Sequence, residues 1–192
     1  MTTTAPRYRV HRATLDDPLV QPLLKELEHE YSTRYPSITR RDGRKELDRY
    51  PPEEFEPAHG GLLLILVEDG ESVAGGAYRR FDERTAELKR IWTHSAQRRR
   101  GLARAVVTEL EQAATRAGYE RLYLTTGPRQ PEAKGLYLAT GYTPLFDVSA
   151  DPETIGRLPF AKSLLPGGSV GIGDFPVLER LDFGPQPSAE QH

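Results

Sequence analysis

The chain has 192 residues, enough for one ordinary domain with a sizeable core. Its 26 Lys and Arg against 28 Asp and Glu give a formal net charge of −2, which offers no global attraction for nucleic acid or an anionic membrane. It contains no cysteine, which excludes disulfides, thiolate metal sites and an acyl-cysteine intermediate.

No apolar run approaches the ~20 residues of a membrane helix, and MTTTAPRYRV lacks the apolar stretch of a signal peptide. A cytoplasmic protein without membrane or nucleic-acid partners is expected. Tyr8–Arg12 reads as a short first strand. Asp16, Asp17 and Pro18 mark a helix start, with acids near the positive helix end and proline early. Leu19, Leu23, Leu24, Leu27, Tyr31 and Tyr35 then recur at helical spacing, until Pro36 and Arg40–Gly43 interrupt the stripe. Glu46–Glu56 is acidic and broken by proline, and reads as a short helix plus loop or as a long loop.

Leu62–Glu68 (LLLILVE) is a continuous apolar run and predicts a strand buried on both faces. Asp69–Gly70 is a hairpin signal leading into a strand over Ser72–Arg80. Asp82–Arg84 turns again into a strand over Ala86–Thr93, so these three form an antiparallel meander. Arg121–Thr126 should be the next strand, parallel to its predecessor across an intervening helix. A loop over Thr126–Pro131, a helix over Pro131–Thr140 and a short strand over Tyr142–Leu145 follow. Asp147–Arg157 is irregular in pattern, and Pro159–Leu165 reads as a closing strand.

The stretch that carries the chemistry is Gln97–Gly118, QRRRGLARAVVTELEQAATRAG. Leu102, Val106, Leu110, Ala113 and Ala117 lie at helical spacing, with Glu111, Gln112, Thr115 and Arg116 largely opposite. Gly118 suits the left-handed residue that ends a helix. In front of this helix stands Arg-x-x-Gly-x-Ala, with Arg98, Gly101 and Ala103 at its fixed positions. The first amides of a helix lack intrahelical partners and carry the positive end of the macrodipole. Gly101 and Ala103 have almost no side chain, so a diphosphate can reach that backbone, and Arg98, Arg99, Arg100 and Arg104 surround it. A solvated arginine run capping a surface helix is the plainer alternative.

Arg-x-x-Gly-x-Ala between a strand and an amphipathic helix resembles the pyrophosphate loop of the GNAT superfamily of acetyl-CoA-dependent N-acetyltransferases. Ala133, Leu136, Tyr137, Gly141 and Tyr142 also fit that family's A-x-x-L-Y-x-x-x-G-[FY] pattern. The resemblance covers about 7–165 and is strong from Ala86 to Tyr142. It implies an α/β (α+β) fold: a mixed, mostly antiparallel sheet of about six to seven strands, splayed centrally, with about four helices. It implies acetyl-CoA as cosubstrate and direct transfer to a primary amine in a ternary complex. A non-catalytic acyl-CoA-binding sensor or regulatory module is the alternative.

Acetylating an amine requires the neutral amine. A lysine-like amine of pKa about 10.4 is ~3.4 units too protonated at pH 7, roughly 4.6 kcal/mol of barrier. Glu87, on the strand feeding the loop, is by the resemblance the general base; an ion pair with Lys89, Arg90 or a neighbouring strand is its structural alternative, and ordered water an alternative base. Glu132 and the Glu26–Glu30 cluster are substitutes. Tyr137 is a core aromatic by periodicity, while the resemblance makes it the general acid that protonates the departing thiolate. The resemblance also assigns Ile91, Trp92 and Thr93 to backbone contacts with the pantetheine arm and thioester carbonyl. It puts Arg98, Arg99, Arg100, Gly101, Leu102, Ala103 and Arg104 on the diphosphate. Gln130 stands where the family often has asparagine, which departs from a coenzyme amide contact while offering the same groups on a longer arm.

Trp92 itself reads as packing and His94 as solvated; His11, His29, His59 and His192 have no metal-ligand spacing, so no metal is expected. Glu46, Asp48, Glu53, Glu54 and Glu56 against Arg49 suggest an acidic rim favouring cationic amines, or a solvated acidic face. A nucleic-acid role for RRRGLAR lacks interleaved aromatics, and the G-x-G-x-x-G of dinucleotide-binding folds is absent. Residues 1–165 read as the acetyltransferase domain and 166–192 as a glycine- and proline-rich extension. Within it, Pro166–Gly173 is expected to be flexible and Gly184–His192 disordered. An extra strand over Phe175–Phe183 is expected to pack on this subunit or on a second copy, which leaves a homodimer open.

Overall fold

The computed structural model describes residues 7–35 and 47–175. A first strand, β1 (Arg9–Ala13), leads into a 3-10 turn, Pro18–Val20, and then helix α1 (Gln21–Arg34). The Asp17 carboxylate accepts the Leu19 N–H at 2.9 Å, so the predicted cap exists, but it opens the 3-10 turn rather than the α-helix. Pro22, in the first turn of α1, lacks an N–H that has no helical acceptor there anyway. Among Glu46–Glu56 the described part holds a 3-10 turn at Pro52–Phe55.

Strand β2 (Leu62–Glu68) has the predicted bounds and is buried on both faces. Asp69 and Gly70 take φ values of 51° and 85°, the left-handed pair that a two-residue hairpin needs, and β3 (Glu71–Arg80) returns alongside. Strand β4 (Thr85–Thr93) completes the meander. Helix α2 (Leu102–Arg116) crosses back to β5 (Arg121–Thr126), which pairs parallel to β4. Then come α3 (Pro131–Ala139), the two-residue β6 (Thr143–Pro144), a one-turn helix α4 (Pro152–Ile155) and β7 (Leu158–Ser163). The region 147–157, irregular by pattern, thus contains a short helix, capped where Asp151 accepts the Glu153 N–H at 3.0 Å.

Among the described residues the seven-stranded sheet has the order β1-β2-β3-β4-β5-β7-β6, with β4–β5 its only parallel pair. Alternation along β2 feeds two cores. Leu62, Leu64 and Leu66 pack with Val106 and Leu110 of α2 and Tyr137 of α3. Leu63, Ile65 and Val67 pack on the other face with Leu23 and Leu27 of α1, Phe55 and Trp92. A third cluster joins Tyr123 of β5, Ala161 of β7 and Phe175. The start of the extension therefore folds back on the sheet, with the Phe175 ring 5.5 Å from that of Tyr123. The remainder of the Phe175–Phe183 segment, the Gly184–His192 tail and 36–46 lie outside the described residues. No helix among the described residues is long and apolar enough to cross a membrane.

Candidate active site

Strands β4 and β5 run together only over Thr85↔Arg121, Ala86↔Leu122 and Glu87↔Tyr123. Both continue, but β5 spends the rest of its length paired with β7, while β4 stays with β3. A bulge drives them apart. The β3–β4 register jumps from Ala77↔Lys89 to Gly75↔Trp92, so Gly76 stands opposite both Arg90 and Ile91. Arg90 adopts φ 59°, a conformation rare for arginine in a strand. Beyond Glu87, along Ile91, Trp92 and Thr93, β4 has no pairing with β5 among the described residues. The Thr93 hydroxyl is buried and has no partner.

At the mouth of this gap the chain turns through Ser95–Gln97, with Ala96 N–H donating to His94 Nδ1 at 3.2 Å. Arg99 (φ 63°) and Gly101 (φ 77°) are both left-handed. Gly101 is there for its backbone, because a Cβ would meet nothing within 4 Å yet would be strained. The first intrahelical donor of α2 is Ala105, bonded to Gly101 O at 3.1 Å. The amides of Leu102, Ala103 and Arg104 therefore precede the helical ladder at the positive end of its dipole. Arg98, Arg99 and Arg104 are exposed around them, whereas Leu102 turns its side chain into the core. Arg100 differs: it forks onto Glu68 at 2.8 and 2.9 Å and also touches Gln97, which ties the loop to the end of β2.

A cleft of about 400 Å³ opens between Ser95 and Arg98 on one side and Glu26, Glu30 and Arg34 of α1 on the other. Glu26 accepts from Trp92 Nε1 at 2.9 Å, Ser95 N at 3.0 Å and Ser95 Oγ at 2.7 Å. Burial works to raise its pKa, but these hydrogen bonds outweigh it and hold the carboxyl below its ordinary value. Trp92 thus packs, as its size suggests, and also fastens α1 to β4. Farther along, Gln130 accepts from Thr126 Oγ1 at 3.2 Å and Gly127 N at 3.1 Å, and donates to Glu30 at 3.1 Å. Its amide is thus engaged between β5 and α1. Arg34 donates to Arg129 O at 2.7 Å and pairs with Glu132, while Arg129 donates to Arg34 O at 2.9 Å. Gly127 leaves room for the Tyr35 hydroxyl, which any Cβ there would overlap.

Glu87 is 4% exposed and lies between two cations, Arg79 Nε at 2.9 Å and Lys89 Nζ at 2.7 Å. The ion pair anticipated as the alternative for Glu87 is present twice over, with Lys89 and, from the neighbouring strand, with Arg79. Arg79 also pairs with Glu54 at 2.8 Å and stacks 4.2 Å over Tyr50. The hairpin turning at Asp82–Arg84 is what sets Arg79 opposite Glu87. Tyr137 lies on the other core, its ring 5.4 Å from Tyr142 and 5.6 Å from Phe160. Burial pushes its hydroxyl well above the usual tyrosine range, so it is protonated at any working pH. Glu87 and Tyr137 therefore sit in different layers, with the parted strands between them.

The sheet opens beside the parallel β4–β5 pair, with the unpaired first amides of α2 at the opening. The model of the acetyltransferase (GNAT) family matches residues 24–142. The uncharacterized N-acetyltransferase YsnE of Bacillus subtilis (strain 168) is 33% identical over 93 residues, 45% of this chain and 62% of that protein. The matched part thus spans about three fifths of that relative. An acetyltransferase from Streptococcus agalactiae 2603 superposes with TM-score 0.63 at 18% identity, over 82% of this chain and 98% of the other. A GNAT family acetyltransferase from Elizabethkingia anophelis, solved with acetyl-CoA bound, gives 0.57 at 16% identity, over 82% and 98%. The chain belongs to the acetyltransferase (GNAT) family.

Proposed function

We propose that the protein transfers the acetyl group of acetyl-CoA directly to a primary amine within a ternary complex. The observation that carries this reading is the parting of β4 from β5 after Glu87↔Tyr123, with the Arg98–Ala103 turn at its mouth. The diphosphate lies against the amides of Leu102, Ala103 and Arg104, with Gly101 admitting it and Arg98, Arg99 and Arg104 around it. Arg100 acts through Glu68, holding the turn in shape. Main-chain groups of Ile91, Trp92 and Thr93 bind the pantetheine arm and polarise the thioester carbonyl. Gln130 meets the coenzyme only by exchanging one of its present partners.

The amine attacks the carbonyl carbon, the carbon–sulfur bond breaks, and Tyr137 gives its proton to the departing thiolate. Its place in the A-x-x-L-Y-x-x-x-G-[FY] pattern, with the ring held by Tyr142 and Phe160, supports that role. The amine's proton leaves toward Glu87. Since Arg79 and Lys89 already hold that carboxylate, an ordered water is its carrier. The same grip on Glu87 favours, as a second reading, a module that binds acyl-CoA without turning it over.

The test is free CoA release from acetyl-CoA across an amine panel, with calorimetric binding of CoA alongside. Release with at least one amine supports the enzyme. Binding without release from any amine favours the second reading, and no binding of CoA or acetyl-CoA overturns both.

A further inference from the structure

We propose that Arg90 anchors a carboxylate carried by the amine acceptor, so that the substrate is an amino acid or a similar amine bearing an acid group. The proposal deepens the acetyl-transfer reading above and rests on it. Arg90 is 8% exposed, and its guanidinium lies 4.2 Å over the Phe55 ring. One nitrogen, Nη2, donates to Leu47 O at 2.5 Å. The other, Nη1, is buried and has no hydrogen-bond partner among the described residues. A buried donor left unpaired is rare in a native protein and points to something the free protein lacks.

The neighbouring charges are already spoken for. Glu87 is taken by Arg79 and Lys89, and Glu54 by Arg79. Asp48 and the Tyr31 phenol reach Arg90 only as fields, and burial still lowers its pKa. Arg90 therefore forms no ion pair among the described residues. Arg90, Lys89, Tyr31 and Tyr50 line a cavity of about 30 Å³, the space of one or two waters. A water there would satisfy the hydrogen bond yet leave the charge uncompensated in a desolvated place. A carboxylate supplies both, in the geometry a guanidinium fork prefers.

The position fits an acceptor and not the coenzyme. Arg90 packs in the α1 layer with Leu47 and Phe55, away from the α2 turn. It immediately precedes Ile91, Trp92 and Thr93, which run on past the β4–β5 pairing. Tyr31, which lines this cavity, also acts electrostatically on Tyr137. The left-handed backbone at the bulge is what aims Arg90 there, a strained conformation of the sort found at binding sites.

The experiment titrates the CoA-loaded full chain, which cannot turn over, with α- and ω-amino acids and with their matching amides. Calorimetry is run on wild type, Arg90→Gln and Arg90→Met, the last keeping an apolar stem against Phe55. In wild type the best carboxylate is expected to bind at least 10-fold tighter than its amide. In both variants the two should fall within about 3-fold, with CoA affinity unchanged. The guanidinium NMR signal of Arg90 in wild type gives a readout independent of any variant, and it should shift with the carboxylate and not with the amide. Equal affinities in wild type, a preference surviving in the variants, an unmoved signal, or no binding by any carboxylate would each overturn the proposal. Failure of CoA itself to bind would instead defeat the acetyl-transfer reading, and the same titration of the coenzyme-free chain would still decide the role of Arg90.

Discussion

The indole N–H of Trp92 donates to the Glu26 carboxylate at 2.9 Å, joining α1 to the end of β4 at the lip of the cleft. Ser95 adds its backbone N–H and its hydroxyl to the same carboxylate. One side chain thus sets the position of a helix, of the end of β4, and of the loop that leads to the Arg98–Ala103 turn.

That arrangement predicts a pH-dependent contribution to stability. The folded state holds the Glu26 pKa below its ordinary value. The stabilisation is therefore fully present above the unfolded carboxylate range and is lost as pH falls through the folded value. Glu26→Gln should lower unfolding free energy by about 1–2 kcal/mol at pH 7. The gap between the two proteins should narrow as pH falls below the ordinary carboxylate range. Urea unfolding at pH 7 and at a series of acid pH values checks this, and a gap that stays constant would assign the loss to packing rather than charge.

The arginines of the turn should separate into two behaviours. Arg98 lines the cleft with its side chain exposed, so Arg98→Ala should weaken CoA binding roughly 5- to 30-fold and reduce its salt dependence. Arg100 is held by Glu68, so Arg100→Ala should act through loop order. Its loss of affinity should be reproduced by Glu68→Gln, and the two changes together should cost little more than one. Calorimetry of the single and double variants decides it. Additive losses would mean that Arg100 touches the diphosphate itself.

Tyr137→Phe removes one oxygen from a site packed by Tyr142 and Phe160 and leaves the ring contacts in place. Turnover should fall about 10²-fold, while CoA affinity stays within 2- to 3-fold. Single-turnover kinetics is the appropriate measurement, because slow product release would hide the chemical step. Full speed under those conditions would leave Tyr137 as a core aromatic only.

What was legible in the sequence was local. The β2–β3 hairpin declared itself because Asp69–Gly70 is one of the few pairs comfortable at two left-handed positions. Leu62–Glu68 showed its double burial because no polar residue interrupts it before Glu68. Gly101 marked the turn for the same reason as Gly70. The bulge at Arg90 left no such mark, since the residue forced into left-handed φ is not a glycine. It follows from tertiary packing of β3, β4 and β5 together. Contacts such as Glu26 to Trp92 and Arg34 to Arg129 join segments 66 and 95 residues apart, and no periodicity reports them. Helix α4 spans too few residues to show a period, and Phe175 found its place through distant partners, Tyr123, Ala161 and Arg121.

Glu87 poses the sharpest question, because its ion pairs and its proposed chemistry make overlapping demands on one carboxylate. Glu87→Gln leaves Arg79 and Lys89 without their shared counter-charge and should destabilise the fold by about 3 kcal/mol. Arg79→Met breaks the same pair from the other side, leaving Lys89 to hold the carboxylate, and should destabilise by a similar or smaller amount. A purely structural Glu87 predicts that the two variants lose turnover alike. A carboxylate that receives the amine's proton predicts otherwise. Glu87→Gln should then lose roughly 10²-fold in kcat, whereas Arg79→Met, which retains the carboxylate, should lose less than about 10-fold. The kcat of both variants, measured well below their unfolding temperatures, separates the roles. Equal losses would remove Glu87 from the chemistry and leave water alone to carry the proton.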